Sequence, residues 1–176
     1  MRRPTAAAGS ALFFAMAPSV VAGYVPWTLT HWQVRGPLAH LAVVRVIGLI
    51  LLALGAIVLI QSFVRFVAEG RGTPAPIAPT ERLVIGGLYR YVRNPMYLAV
   101  VAAITGQALA LDQPGLLVYA AVVWVVVASF VRWYEEPTLA SQFGAEYEAY
   151  RRSVPAWLPR IRRRGPSPSH ASAGRR

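Results

Sequence analysis

The chain has 176 residues, of which 56% are hydrophobic and only 14% charged, and its formal net charge is +11. A soluble domain is nearer ~25% charged, and the lack of any cysteine excludes disulfides, thiolate-bound metal and a cysteine nucleophile. Every basic residue is arginine, and the arginines flank apolar segments instead of forming one basic face, which argues against nucleic acid as a partner.

A helix needs ~20 mainly apolar residues to cross a bilayer, and four segments approach that length. The first runs from Ala11 to Thr30 and is interrupted by Pro18, Gly23 and Pro26. Arg2 and Arg3 before an apolar run also suit a signal peptide, but no convincing small-x-small cleavage site precedes Tyr24, so a retained helix is expected. The second, Leu41 to Phe63, is uncharged from Val46 to Ile60, with Arg45 near one end where it can snorkel to the headgroups. Gly72 to Pro79 reads as an extended, polyproline-like stretch, and Leu83 to Tyr91 leads into the third segment, Pro95 to Leu111. The polar turn Asp112-Gln113-Pro114-Gly115 joins this to the fourth, Leu116 to Trp133, so the two form an antiparallel hairpin. Thr138 to Ser153 follows as one amphipathic helix, with Leu139, Phe143, Tyr147 and Tyr150 at helical spacing. It is expected along the inner membrane face. From Arg162 onward the composition predicts a disordered basic tail, whose arginines keep the C-terminus inside or touch anionic lipid.

The fold class expected is all-α: an integral membrane protein of about four transmembrane helices with a cytoplasmic interfacial C-terminal helix. Arginine placement sets the orientation. Arg65, Arg71, Arg82, Arg90 and Arg93 crowd one loop, and Arg132 and the tail carry more, whereas the turn at Asp112 has none and the loop from His31 to His40 has only Arg35. Both termini are therefore expected in the cytoplasm, with the protein in the cell's inner (plasma) membrane. The chain divides into transmembrane helices over 1–64, a core with the third and fourth helices over 65–161, and the tail over 162–176. His31, His40 and His170 lie far from the acidic residues in sequence, so no metal site is expected.

Chemistry gathers at the cytoplasmic ends of the third and fourth helices. One cluster is Tyr89-Arg90-Tyr91-Val92-Arg93-Asn94-Pro95-Met96-Tyr97. Asn94 suits an N-cap and Pro95 the first helical position, which by itself only starts a helix. The same helix start, with Arg93 beside it, suits a carboxylate or phosphate. The other cluster is Arg132-Trp133-Tyr134-Glu135-Glu136-Pro137, with two carboxylates where the helix dipole favours basic residues. An Arg132–Glu136 pair at i, i+4 accounts for one of them at ~0.5 kcal/mol and leaves the other. The hairpin brings both clusters together, and a zwitterion or cationic ligand fits between them.

These residues resemble a known family. Gly72-Thr73-Pro74, Leu83-Val84, Gly87-Leu88-Tyr89-Arg90-Tyr91-Val92-Arg93-Asn94-Pro95-Met96-Tyr97, Glu135-Glu136, Phe143-Gly144-x-Glu146-Tyr147-x-x-Tyr150 and Val154-Pro155 are similar, in order and spacing, to the isoprenylcysteine carboxyl methyltransferase and phospholipid methyltransferase family. The likeness runs from about Gly72 to Pro159, and the N-terminal half matches only as apolar helices. The resemblance implies an integral membrane enzyme that uses S-adenosylmethionine at the cytoplasmic membrane face. It points to Arg93, Asn94, Pro95, Tyr97, Glu135 and Glu136 as cofactor-binding residues, with Arg93 and Glu135 catalytic. Asn94 stands where many members have histidine, so a role needing an ionisable ring there does not transfer. The acceptor implied is lipophilic, an isoprenoid- or lipid-like carboxylate or amine. Two other readings stand beside it: a membrane reductase of the sterol-reductase type with a nicotinamide cofactor, disfavoured by the adjacent glutamates, and a non-catalytic membrane protein that keeps the fold.

Overall fold

The computed structural model describes residues 16–35, 42–70 and 83–159. Ala11 to Ala15, the Gly72 to Pro79 stretch and the tail from Arg162 lie outside them. Among the described residues the structure is helical, without a strand. A π-helical turn, Val20–Tyr24, runs into α1, Val25–Thr30. Then come α2, Ala42–Gly70; a 3-10 turn, Gly87–Arg90; α3, Pro95–Leu111; and α4, Pro114–Phe130. A second π-helical turn, Val131–Glu135, leads into α5, Glu136–Phe143, and α6, Ala145–Ser153.

The helix ends follow from local chemistry. Pro95 and Pro114 open α3 and α4, where the missing N–H has no intrahelical role. Asp112 stops α3 in the left-handed region, at φ 52°, and with Gln113 forms the whole of the hairpin connection. Both π-helical turns lie just upstream of a proline, Pro26 and Pro137. A proline inside a helix clashes with the carbonyl four residues back, and a widened turn accommodates it without ending the helix. The single amphipathic helix expected over 138–153 is instead two helices. Gly144, at φ 52° and ψ −123°, breaks it in a conformation that only glycine adopts readily.

Among the described residues, two stretches are long and apolar enough to cross a bilayer, Ala42–Arg65 and Pro114–Phe143. Their outward faces carry exposed Val43, Ile47, Ile50, Leu54 and Ile57 on α2, and Val118, Val122 and Val125 on α4. In water such faces would be costly; in lipid they are the expected surface. The shorter apolar α3 is the buried centre. Its Val100, Ile104 and Ala108 pack with Leu116, Ala120 and Val123 of α4, while Val21, Ala22 and Leu59 close the cluster.

Helices in lipid gain little from burying apolar side chains against each other, so close backbone approach matters more. Along the α2–α3 contact, a Cβ on Gly48 would stand 2.5 Å from the Ala110 nitrogen, and one on Gly106 would stand 2.5 Å from the Leu52 nitrogen. Polar side chains tie the N-terminal segment to this pair. Gln107 donates from Nε2 to the Ala22 carbonyl at 2.6 Å and accepts from Trp32 Nε1 at 3.3 Å. Tyr119 donates to the Val21 carbonyl at 2.9 Å. Away from water, an unmade bond at Gln107 would cost several kcal/mol, on the order of ~2–7.

Candidate functional site

The start of α3 and the π-helical end of α4 meet, as the hairpin requires. Arg93 Nη2 lies 2.9 Å from Glu136 Oε1, and both side chains are 11% exposed. Arg93 Nη1 donates to the Tyr147 hydroxyl at 3.1 Å. Tyr97 donates its hydroxyl to Glu135 Oε2 at 3.0 Å. A longer contact, 3.8 Å, joins the other Glu136 oxygen to Arg151. The two neighbouring carboxylates are therefore held from different sides: Glu136 by arginines, Glu135 by a phenol.

The Arg132–Glu136 pair weighed as the purely local account of Glu136 does not form; Glu136 pairs with Arg93 instead. Arg132 falls inside the widened turn Val131–Glu135 and is exposed, while Glu136 is buried. The long-range pair is the stronger one, since a shielded charge pair with further hydrogen bonds outweighs an exposed one along a helix.

Asn94 precedes Pro95 but makes no side-chain cap on α3. Its Nδ2 donates instead to the Ala156 carbonyl at 3.2 Å. The backbone N–H groups of Arg93 and Asn94 donate to the carbonyls of Pro155 and Ala156, at 2.9 and 3.3 Å. The segment after α6 thus crosses the start of α3, where Trp157 meets Trp124 of α4 edge-on with ring centroids 4.5 Å apart. The anion site expected from free helix N–H groups is narrower than the sequence suggested. The Arg93 and Asn94 donors are committed to that strap, and Pro95 has none. The N–H groups of Met96 and Tyr97 in the first turn of α3 remain, and Arg93 Nε is buried without a hydrogen-bond partner.

The aromatic pair on α6 completes the wall. Tyr147 is 2% exposed, and Tyr150 donates to the Tyr89 carbonyl at 2.7 Å. Burial raises both phenols above their ordinary value, although the positive charge of Arg93 works the other way, so both stay protonated and neutral. All six residues proposed from the sequence cluster at this end of the hairpin. Arg93 joins Glu136, Tyr97 joins Glu135, and Asn94 and Pro95 form the junction. Sequence reasoning missed Arg151 and the Pro155–Ala156 carbonyls. Arg151 lies four residues after Tyr147, on the same helical face, which was the available signal.

The family model described as phospholipid methyltransferase matches residues 43–146, a stretch that contains both the Arg93–Glu136 and the Tyr97–Glu135 contacts. The chain belongs to the phospholipid methyltransferase family. It is also 34% identical over 102 residues to the protein-S-isoprenylcysteine O-methyltransferase of Schizosaccharomyces pombe. That alignment covers 57% of this chain and 40% of the yeast protein, so the chain matches well under half of that relative's length. No solved structure matches the chain. Membership of the phospholipid methyltransferase family agrees with the resemblance seen in the motifs.

Proposed function

We propose that the protein is an integral membrane methyltransferase that uses S-adenosylmethionine and methylates a lipophilic acceptor, an isoprenoid- or lipid-like carboxylate or amine. In this reading the chain crosses the inner membrane four times with both termini in the cytoplasm, and the reaction takes place at the cytoplasmic face, within a core spanning residues 65–161 and built on α3 and α4. The observation that carries the reading is the pairing of an arginine and two carboxylates across the hairpin end, inside the stretch that matches the family.

The residues present fit such a cofactor, whose amino acid part is a zwitterion. Arg93 Nε is a buried donor without a partner, suited to a carboxylate. Glu135 has Oε2 bonded to Tyr97, and its charge suits an ammonium or ribose hydroxyls. Glu136 and Tyr147 hold the remaining guanidinium nitrogens of Arg93 and fix its direction. Glu136 is thus a positioning residue, and Arg93 and Glu135 are the contacting ones.

When bound, S-adenosylmethionine supplies a methyl group activated by its positive sulfur. The displacement is in line, so the protein contributes mainly by holding acceptor and donor in one orientation. A carboxylate acceptor needs no base. With an amine acceptor, Glu135 accepts the proton on its carboxylate, and Tyr97 orients the group for this.

The test is isothermal titration of detergent-solubilised protein with S-adenosylmethionine and with S-adenosylhomocysteine. Glu135→Gln is expected to weaken binding by about tenfold or more, a cost on the order of ~2 kcal/mol for a shielded charge pair, with the thermal midpoint retained. Wild-type affinity in that variant would remove Glu135 from the site. Binding of a nicotinamide cofactor in place of S-adenosylmethionine would overturn the reading.

A further inference from the structure

A separate cavity of about 480 Å³ lies where the end of the membrane-length part of α2 faces the 3-10 turn before α3, lined by α2 residues from Ile60 to Arg65 and by turn residues from Gly87 to Tyr91. Its polar lining is Gln61, Ser62, Arg65, Tyr89 and Tyr91, and none of its lining residues is acidic. Ser62 is 1% exposed, and its Oγ has no hydrogen-bond partner. A buried hydroxyl in that state is destabilising unless something completes it. Gly87 holds the opposite wall at φ 57°, with its Cβ position 3.2 Å from Arg65 Nε. Any side chain there would be strained and would push Arg65 aside, so the glycine keeps the arginine against the cavity.

The rest of the surroundings are those of a membrane boundary. Arg65 ends the apolar stretch Ala42–Arg65. Below it on the same helix Ile57, Ile60 and Val64 are 51%, 63% and 57% exposed, a face that fits alkyl chains. An arginine and neutral hydrogen-bonding side chains above an apolar face form the chemistry that recognises a negative head on an apolar tail. Basic pockets at helix ends near the headgroup level bind anionic lipids for this reason.

We propose that this cavity is a binding site for the anionic phosphate head of a membrane lipid, with one acyl chain lying along the outer face of α2. The cavity is distinct from the Arg93–Glu136 site, although Tyr89 borders it and through its carbonyl also holds Tyr150. Ser62 supplies the buried hydroxyl, Arg65 the charge, and Tyr91 a phenol at the rim.

The experiment is native mass spectrometry of the full chain titrated with phosphatidylglycerol, with phosphatidylcholine of the same acyl chains, and with inorganic phosphate. One equivalent of phosphatidylglycerol is expected to bind about tenfold more tightly than phosphatidylcholine, and inorganic phosphate is not expected to displace it. Ser62→Leu, which fills the cavity, should weaken phosphatidylglycerol by about tenfold. Ser62→Ala, which keeps the helix and removes only the hydroxyl, should weaken it by a smaller factor with an unchanged thermal midpoint. Arg65→Gln should abolish the preference for the anionic head. Equal binding of the two lipids, or wild-type phosphatidylglycerol affinity in Ser62→Leu, would overturn the proposal. Displacement by inorganic phosphate would overturn the lipid part by reducing the site to a bare anion site. Titration of S-adenosylhomocysteine into the same samples reads the methyltransferase site separately, so the two proposals stand or fall independently.

Discussion

Tyr97 and Glu135 face each other across the hairpin, with the phenol donating to the carboxylate at 3.0 Å. They come from the first turn of α3 and the last residue of the widened turn after α4. The contact both closes the hairpin end and orients a carboxylate. Tyr97→Phe keeps the ring and removes the donor. The expected result is a loss of ~1–2 kcal/mol in stability and a fall of severalfold in S-adenosylmethionine affinity, read by thermal unfolding and titration calorimetry. An unchanged affinity would mean that Glu135 does not depend on Tyr97 for its position.

Arg93 and Glu136 are expected to behave as one unit. Each is held in a shielded place, and removing one leaves the other charge uncompensated, at ~3–5 kcal/mol. Arg93→Ala and Glu136→Gln should each destabilise strongly, while the double variant should cost clearly less than the sum of the two. Arg132→Ala is the comparison, because Arg132 is exposed; its effect should stay within ~0.5 kcal/mol. A fully additive double variant would show that the 2.9 Å contact carries no net energy.

The α6 phenols give a pH dependence with a definite sign. Burial raises Tyr150 and Tyr147 above the ordinary phenol value of 10.0. A raised value in the folded state means that the folded protein binds the proton more tightly than the unfolded chain does. The associated stability is fully present below pH 10.0 and declines as the pH rises above it. The Tyr150 hydroxyl also ceases to donate to the Tyr89 carbonyl when it ionises. The thermal midpoint of the wild type should therefore fall more steeply above pH ~10 than that of Tyr150→Phe, which has lost the titrating group. Parallel curves would remove Tyr150 from the alkaline transition.

Some of this was legible in the sequence and some was not, for physical reasons. The bounds of α3 follow from Pro95 and from the Asp112–Gln113 turn, which are local signals, and they appear as expected. The hairpin follows from the same turn, and it brings Tyr97 to Glu135. The break at Gly144 was hidden because the apolar spacing of Leu139, Phe143, Tyr147 and Tyr150 continues across it, and periodicity does not register a single residue at positive φ. The local Arg132–Glu136 alternative fails for a related cause. The i, i+4 rule assumes a regular α-helix, and the turn before Pro137 is π-helical. The role of Asn94 depends on a carbonyl that lies 62 residues away in the chain, and no local pattern encodes that.

Asn94 provides the last test, because two roles for it predict different measurements. As an N-cap it would hold the first turn of α3, and its loss would loosen that helix start at ~1 kcal/mol. In the structure it makes no cap and donates to Ala156, fastening the segment after α6 across the helix start. Asn94→Ala should therefore speed hydrogen exchange within residues 154–159 by about fivefold, the equivalent of one net hydrogen bond of ~1 kcal/mol. Exchange in the core around Leu116 and Ala120 should not change. The effect should be partial, because the Asn94 backbone N–H still reaches the Ala156 carbonyl and the Arg93 N–H still reaches Pro155. Asn94→His replaces the amide with a ring and should restore protection only where a ring nitrogen reaches the same carbonyl. Faster exchange confined to the first turn of α3, with residues 154–159 still protected, would return Asn94 to a capping role.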